Sequence, residues 1–426
     1  MNNGCLPLIL YALAFGNDKI LGTDTRITID RFTGDPKSVV VDKQTLKIIT
    51  EIHASPFLFG RGTRAYIVKD AHGRYHIFKD SWAPKSPDTE SEIDHIKKIS
   101  SAAQGLPDRF RILCPIFVAG EDNVDDTAKL RRLYKLHNTR IRRRMVIGPI
   151  GDPITSYRSR VEFLQVMIDA VDQLKFIHDE CGLVHGDISM NNIVIVRFLP
   201  NILAALPPPL PEPLSFPASH QITPCHKDGF PHVLKSGGSV IDFDYARASG
   251  TPAAEVSMTG STPYTAIELM KPSSLIMHQL KHDLESVFLV LLNIVRLTWG
   301  PGATGDECKV KPHFRISQWH HERSVERLKD LKEMDVRHVC KDPMPYLTDY
   351  WAPIAPFMQR FHDVFYPVAR VTESQAVYDA FKAVLIDAQN FCKTILEFVP
   401  NYAAFWNLDS LRKQKALDDD SSDDES

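Results

Sequence analysis

His185-Gly186-Asp187-Ile188-Ser189-Met190-Asn191-Asn192 decides how this chain is read. Apolar residues flank it on both sides, Leu183-Val184 before and Ile193-Val194-Ile195-Val196 after. A carboxylate and an amide five positions apart, held between two short apolar runs, describe a polar loop set between strands. Further along comes Val240-Ile241-Asp242-Phe243-Asp244, a second carboxylate at the end of another apolar run. Phosphoryl transfer uses this set: Asp187 orients an acceptor hydroxyl, while Asn192 and Asp242 hold Mg²⁺ against nucleotide phosphates.

Working outward, residues 1–55 alternate apolar and polar positions, as in Ile27-Thr28-Ile29, Val39-Val40-Val41 and Lys47-Ile48-Ile49, and predict strands. Residues 57–79 predict strand, loop and strand, with His72-Gly73 at the turn. Ile93, Ile96 and Ile99 share one helical face and predict a helix over 89–104. Residues 113–118 and 144–147 predict two more strands. Beyond residue 155 the pattern becomes helical. Val161, Leu164, Ile168, Val171 and Leu174 predict an amphipathic helix over 158–178, leading into the His185 loop. Further helices are expected at 282–299, 322–335, 352–366 and 373–396. The expected fold class is α+β, with a β-rich N-lobe over 1–148 and a mainly helical C-lobe over 149–405.

Composition restricts the function classes. The chain has 426 residues, 43% hydrophobic and 24% charged, ordinary values for a globular protein. Net charge is −3, of which −6 lies in the last nine residues, leaving +3 for the rest. That balance argues neither for nor against a nucleic-acid partner, and none is expected. Seven cysteines without a C-x-x-C pair fit reduced thiols and a cytoplasmic or nuclear setting. Cys225-His226, and Cys308 with His313, are too isolated to form a zinc site. The apolar run at 6–15 is too short for a membrane span and lacks a basic leader, so it reads as a buried strand or helix start. No membrane partner is expected. The first strands fall short of a full leading domain.

Nine prolines between Pro200 and Pro231 mark residues 199–237 as an extended, exposed insertion, with partner docking as its sharper reading. Residues 406–426 end in an acidic, serine-containing tail that reads as disordered. Arg140 and Arg142 to Arg144 read as a solvated strand edge or turn, the alternative being a nuclear signal or acidic-substrate patch.

With these motifs in order, residues 57–296 resemble the protein-kinase superfamily, and most closely the fungal-type protein kinase family. Lys79-Asp80-Ser81-Trp82, Gly186-Asp187-Ile188-Ser189, Ile241-Asp242-Phe243-Asp244 and His282-Asp283-Leu284-Glu285-Ser286 carry the resemblance. It implies ATP and Mg²⁺ as cofactors. Gly60 and Gly62 match the glycine-rich phosphate loop, with Ala65 for its third glycine. Lys79 matches the lysine that binds the α- and β-phosphates, and Glu92 its acidic partner, with Glu90 as the alternative. Residues 260–268 resemble the end of an activation segment. There Glu268 is expected to pair with an arginine in the helical lobe, and Asp283 to brace the catalytic loop through its backbone.

Five positions depart from the general kinase pattern. Gly186 replaces the arginine that receives an activation-loop phosphate, so activity should not depend on phosphorylation of Ser257 or Thr259. Ser189 replaces the lysine that faces the γ-phosphate, and Asn191 stands where an arginine would be the tyrosine-kinase alternative. Asp244 replaces the glycine of D-F-G and reads as a turn residue, a second metal ligand being the other option. Pro149, near the adenine-reading backbone, has no N–H to offer.

Three functions are compatible with these residues. The leading one is an ATP-dependent protein kinase acting on Ser/Thr hydroxyls of protein substrates. A small-molecule phosphotransferase of the aminoglycoside or choline kinase kind shares the H-G-D and I-D-F-D motifs, but generally lacks a segment like 260–268. A pseudokinase scaffold that binds partners through the proline-rich insertion is the third.

Overall fold

A computed structural model of the chain describes residues 24–55, 61–85, 90–130, 139–197, 236–252, 262–270, 276–301, 316–367 and 373–395. Gly60, the run at 6–15, all nine prolines of the insertion, Ser257, Thr259, the Cys225 and Cys308 clusters and the acidic tail lie outside them. The chain divides into two compact units, Met1–Pro87 with Phe117–Gly148, and Asp88–Ile116 with Pro149–Ser426.

The first unit is built on a seven-stranded sheet of order β1-β2-β3-β4-β5-β7-β6. Its strands are β1 (Ile27–Ile29), β2 (Pro36–Val41), β3 (Gln44–Ala54), β4 (Arg64–Lys69), β5 (Tyr75–Pro84), β6 (Ile116–Asp126) and β7 (Arg140–Gly148). Alternation buries one face: Val39, Val41, Leu46, Ile48, Tyr66, Val68, Phe78, Ala119 and Val146 form its core. The expected turn joins β4 to β5. Asp70 Oδ1 accepts from the N–H groups of His72 and Arg74, both at 2.9 Å, which locks the hairpin register.

The arginine run is neither a solvated edge nor a turn. It lies in β7, between β5 and β6. Arg142 grips Asp80 at 2.9 and 2.6 Å and Asp24 at 2.7 Å. Arg144 is fully buried and also bonds Asp80 and Asp24, while Arg143 reaches Asp122 at 2.5 Å. The Asp80 of the Lys79-Asp80-Ser81-Trp82 phrase thus neutralises two cross-strand arginines.

The strand expected at 113–118 begins instead at Ile116. Residues Asp108–Leu113 form a short helix, α2, and Pro115 separates it from the strand. Ile112 and Leu113 pack with Val194 and Val196, and the Leu113 carbonyl accepts the Ser239 hydroxyl at 2.6 Å. A tertiary apolar cluster and a side-chain donor take the place of a sheet ladder here.

The second unit carries α1 (Glu92–Ala103), α4 (Arg160–Cys181), α5 (Leu280–Leu297), α6 (Ile316–His321), α7 (Val325–Lys341), α8 (Ala355–Phe365) and α9 (Ser374–Lys393). The four-residue α3 (Thr127–Leu130) belongs to the first unit. The helices expected at 158–178, 282–299, 352–366 and 373–396 are present within three residues of those bounds, and the one expected at 322–335 runs on to Lys341; α6 carried no clear periodic signal. Ser91 and Asp94 cap α1 reciprocally, and Ser159 caps α4 by accepting from Glu162 N. Tyr157, Phe163 and Trp351 interlock beneath α4, with ring centroids 5.0–5.5 Å apart.

Short strands carry the polar loops: β8 (Asp152–Pro153), β9 (Leu183–Val184), β10 (Ile193–Arg197), β11 (Ser236–Val240) and β12 (Arg247–Ala248). β10 pairs with β11 from Ile193↔Val240 to Arg197↔Ser236, so the proline-rich insertion leaves and re-enters at one end of a ladder. Ser236 and Gly237 belong to that ladder. No described helix is long and apolar enough to cross a membrane.

Candidate active site

α4 ends at Gly182, whose left-handed backbone stops the helix and turns the chain into β9 and the His185 loop. The loop is then fixed from below by α5. Asp283 Oδ2 accepts from His185 N at 2.6 Å, and Asp283 Oδ1 accepts from Gly186 N at 3.1 Å. This is the backbone brace expected of Asp283. Burial alone would raise the Asp283 pKa. His278, by its charge and its hydrogen bond at 3.1 Å, and the main-chain N–H of His185 hold it down to about 2.

His185 joins the two halves of the site. Its Nδ1 accepts from Asp187 N at 3.2 Å, so Nε2 carries the proton and donates to Ile241 O at 3.0 Å. Its ring lies 4.8 Å from that of Phe243. Asn192 continues the connection. Its Nδ2 donates to Asp187 O at 2.7 Å and to Asp187 Oδ2 at 3.3 Å, while its main-chain oxygen accepts from Ile241 N at 2.9 Å. With Nδ2 donating to Asp187, Oδ1 is the atom Asn192 can offer a cation.

Asp242 follows β11, an edge strand whose outward N–H groups bond side chains of α4. Asp169 accepts from Gly238 N at 3.0 Å and Gln173 from Val240 N at 3.2 Å. Asp242 itself has φ +69°, a strained conformation for a residue with a Cβ and one concentrated at functional sites. It brings three carboxylates together. Ligand oxygens of Glu92, Asp242 and Asp244 all lie within 4.8 Å of one another. An all-oxygen donor set of this kind fits a hard divalent cation such as Mg²⁺. Asp244 lies in the turn closed by Ala246 N donating to Phe243 O at 3.1 Å. It is a turn residue and a member of the carboxylate cluster at once.

Glu92 is buried on α1, whereas the Glu90 side chain is 60% exposed and lies 3.6 Å from His95. The sequence pointed to Glu92 only as a partner for Lys79. Its place beside Asp242 and Asp244 was missed; an aspartate in place of the third residue of D-F-G was the available signal. In the first unit, Lys79 is buried on β5, directly opposite Ala65 in the β4 register. Gly62 has φ +52° just ahead of β4.

The segment resembling an activation-segment end is held by groups the sequence did not reveal. Among the described residues Glu268 pairs with no arginine; it bonds Lys281 at 2.8 Å and His282 at 3.1 Å. The His282 bond, with Lys281 beside it, holds Glu268 down to about 2. Burial meanwhile pushes the His282 imidazole down. The deeper anchors are Glu285 and Lys332. Glu285 Oε1 accepts from Ile267 N at 2.8 Å and from the Tyr366 hydroxyl at 2.7 Å. Lys332, fully buried on α7, donates to the carbonyls of Thr265 and Thr262. Tyr264 accepts from Asn293 Nδ2 at 2.7 Å, and the same amide contacts Met190 of the loop.

A loop aspartate bonded to an asparagine, a second aspartate at positive φ and an anchored following segment fit the class of protein kinases. A family model described as fungal protein kinase matches residues 6–138 and 119–295, and the chain belongs to that family. Its α+β, two-unit fold is that of the class. A search of curated proteins found no match. Among solved structures, a chain of the yeast RNA Pol II CTD kinase CTDK-1 complex is similar at 12% identity with a TM-score of 0.31. The match covers 58% of this chain and 62% of that one, less than two thirds of its length.

Proposed function

We propose that this kinase transfers the γ-phosphoryl group of ATP to Ser/Thr hydroxyls of protein substrates. The observation that carries this reading is the bonded chain Asp187–Asn192–Ile241, which ties the acceptor-orienting carboxylate to the strand end bearing Asp242. Asp187 takes the acceptor hydroxyl as a hydrogen-bond donor and receives its proton as phosphoryl transfer proceeds. Asn192 Oδ1 and Asp242 would hold Mg²⁺, with Asp244 and Glu92 as further oxygens. When bound, the ion neutralises charge on the phosphates. Asp283 and His185 keep the loop from shifting, which matters because such a reaction is accelerated mainly by positioning and preorganised charge. Lys79, Gly60 and Gly62 are assigned to the nucleotide phosphates from the family pattern. The four described cysteines are buried, and a cytoplasmic or nuclear setting is proposed with this function. The proline-rich insertion, outside the described residues, is assigned to partner docking.

The test is phosphate transfer from labelled ATP to casein or histone, set beside transfer to amino sugars and choline. Protein-only transfer supports the reading. Transfer confined to the small acceptors would assign the chain to small-molecule chemistry. No thermal shift at millimolar Mg·ATP and no transfer would leave a scaffold.

A further inference from the structure

Gly186 removes the arginine of the standard loop, yet the space beside it is filled. Gly186 has φ +78°, and a Cβ there would lie 2.5 Å from Arg247 Nη2, 3.3 Å from Arg247 Cζ and 2.8 Å from Tyr245 O. Alanine at this position would therefore strain the backbone and strike the guanidinium. Arg247 reaches the spot from β12, which pairs with β9 through Arg247↔Val184 and Ala248↔Leu183, beside the entry to the loop. Further bonds fasten that strand: Ser249 N to Gly182 O at 2.8 Å, Gly250 N to His278 O at 2.8 Å, and His278 N to Thr251 O at 2.9 Å. Two carboxylates, Asp283 and Asp187, act electrostatically on the guanidinium. Its Nε is buried without a hydrogen-bond partner, so charge and packing, not a full set of bonds, hold it there.

We propose that Arg247 is a positioning residue: its guanidinium, seated against Gly186 and attracted by Asp187 and Asp283, supplies from within the fold the positive charge that sets the loop. This rests on the kinase reading above and deepens it. A loop with a cation of the fold already seated against it is set without an activation-loop phosphate. Asp187 on the loop and Asp283 on α5 are the charged groups that act on it.

The experiment compares full-length wild type, R247Q and R247K by steady-state kinetics and by amide hydrogen exchange at His185 and Gly186. R247Q is expected to lower kcat on the order of tenfold or more, to keep the nucleotide KM within about twofold, and to speed exchange at both amides. R247K is expected to restore most of kcat and the slow exchange, and phosphatase treatment to leave wild type unchanged. Wild-type kcat and exchange in R247Q would overturn the proposal. Should R247Q not fold, R247K decides: near-wild-type behaviour supports a charge-based role, and a loss of kcat beyond about tenfold overturns it. Exchange is read without turnover. A chain that transfers no phosphate but loosens in R247Q sinks the kinase reading alone, whereas an active, tight R247Q sinks only the Arg247 role.

Discussion

The Asn192 side chain donates to the main-chain oxygen of Asp187 at 2.7 Å and to its carboxylate at 3.3 Å. One amide therefore fixes both the path of the loop and the orientation of the carboxylate. Asn192→Ala removes both bonds and a ligand oxygen. Activity is expected to fall about 10²-fold or more, with only about 1 kcal/mol lost from stability. Rates at saturating Mg·ATP, together with urea unfolding, check this. A large stability loss with normal turnover would be the wrong outcome.

The Asp242–Asp244–Glu92 cluster makes a prediction about metal demand. Asp244→Gly restores the common D-F-G pattern and removes one oxygen from the cluster. The Mg²⁺ concentration for half-maximal activity is expected to rise about three- to tenfold, since fewer carboxylates weaken a hard-cation site. A titration of rate against Mg²⁺ decides. An unchanged midpoint would confine Asp244 to its turn.

Two glutamates that hold the Thr262–Met270 segment should differ in weight. Glu268 is 40% exposed and its ion pair is open to solvent, so Glu268→Ala should cost under about 1 kcal/mol. Glu285 is buried and satisfies Ile267 N and the Tyr366 hydroxyl. Glu285→Ala orphans both donors and should cost about 2–4 kcal/mol. Denaturant midpoints of the two variants provide the comparison; equal losses would mean that Glu268 is the main anchor.

Lys332 gives the stability a pH slope. Burial holds its amine down to about 7 in the folded chain, against an ordinary 10.5. Between these values the unfolded chain binds more protons, so stability rises with pH from about 7 towards 10 and is flat below 7. The contribution is at most about 1.4 kcal/mol per pH unit. Lys332→Met should flatten the slope between pH 7 and 9, measured by urea unfolding. A slope unchanged by the substitution would show that Lys332 stays charged throughout.

In the first unit, Asp80→Ala leaves the fully buried Arg144 without one of its two acids and Arg142 without its bidentate partner. A loss of about 3–5 kcal/mol is expected, because an uncompensated buried charge is costly. Thermal unfolding of the variant checks it, and a shift of only a degree or two would contradict the buried network.

Strands and long helices were readable because their apolar periods survive in one dimension. The polar loop was readable because His185, Asp187 and Asn192 are neighbours in sequence. What escaped was fixed by contacts between distant residues. Leu113 entered a helix because Val194, Val196 and Ser239 wait for it. The arginines of β7 looked solvated because Asp80 and Asp24 lie more than fifty positions away. Lys332 gave no signal, since a lysine in an amphipathic helix ordinarily faces water. Arg247 beside Gly186 is of the same kind: the space made by a missing side chain is visible only in three dimensions.

The central claim is that Asp187, clamped by Asn192, orients the acceptor for phosphoryl transfer. Its most direct test is the rate of phosphate transfer from labelled ATP to casein by wild type and Asp187→Ala, at saturating Mg·ATP and with unfolding temperatures of both proteins measured alongside. A folded Asp187→Ala that still gains thermal stability from Mg·ATP but transfers at least about 10³-fold more slowly is the expected result. Transfer at the wild-type rate by that variant would contradict it.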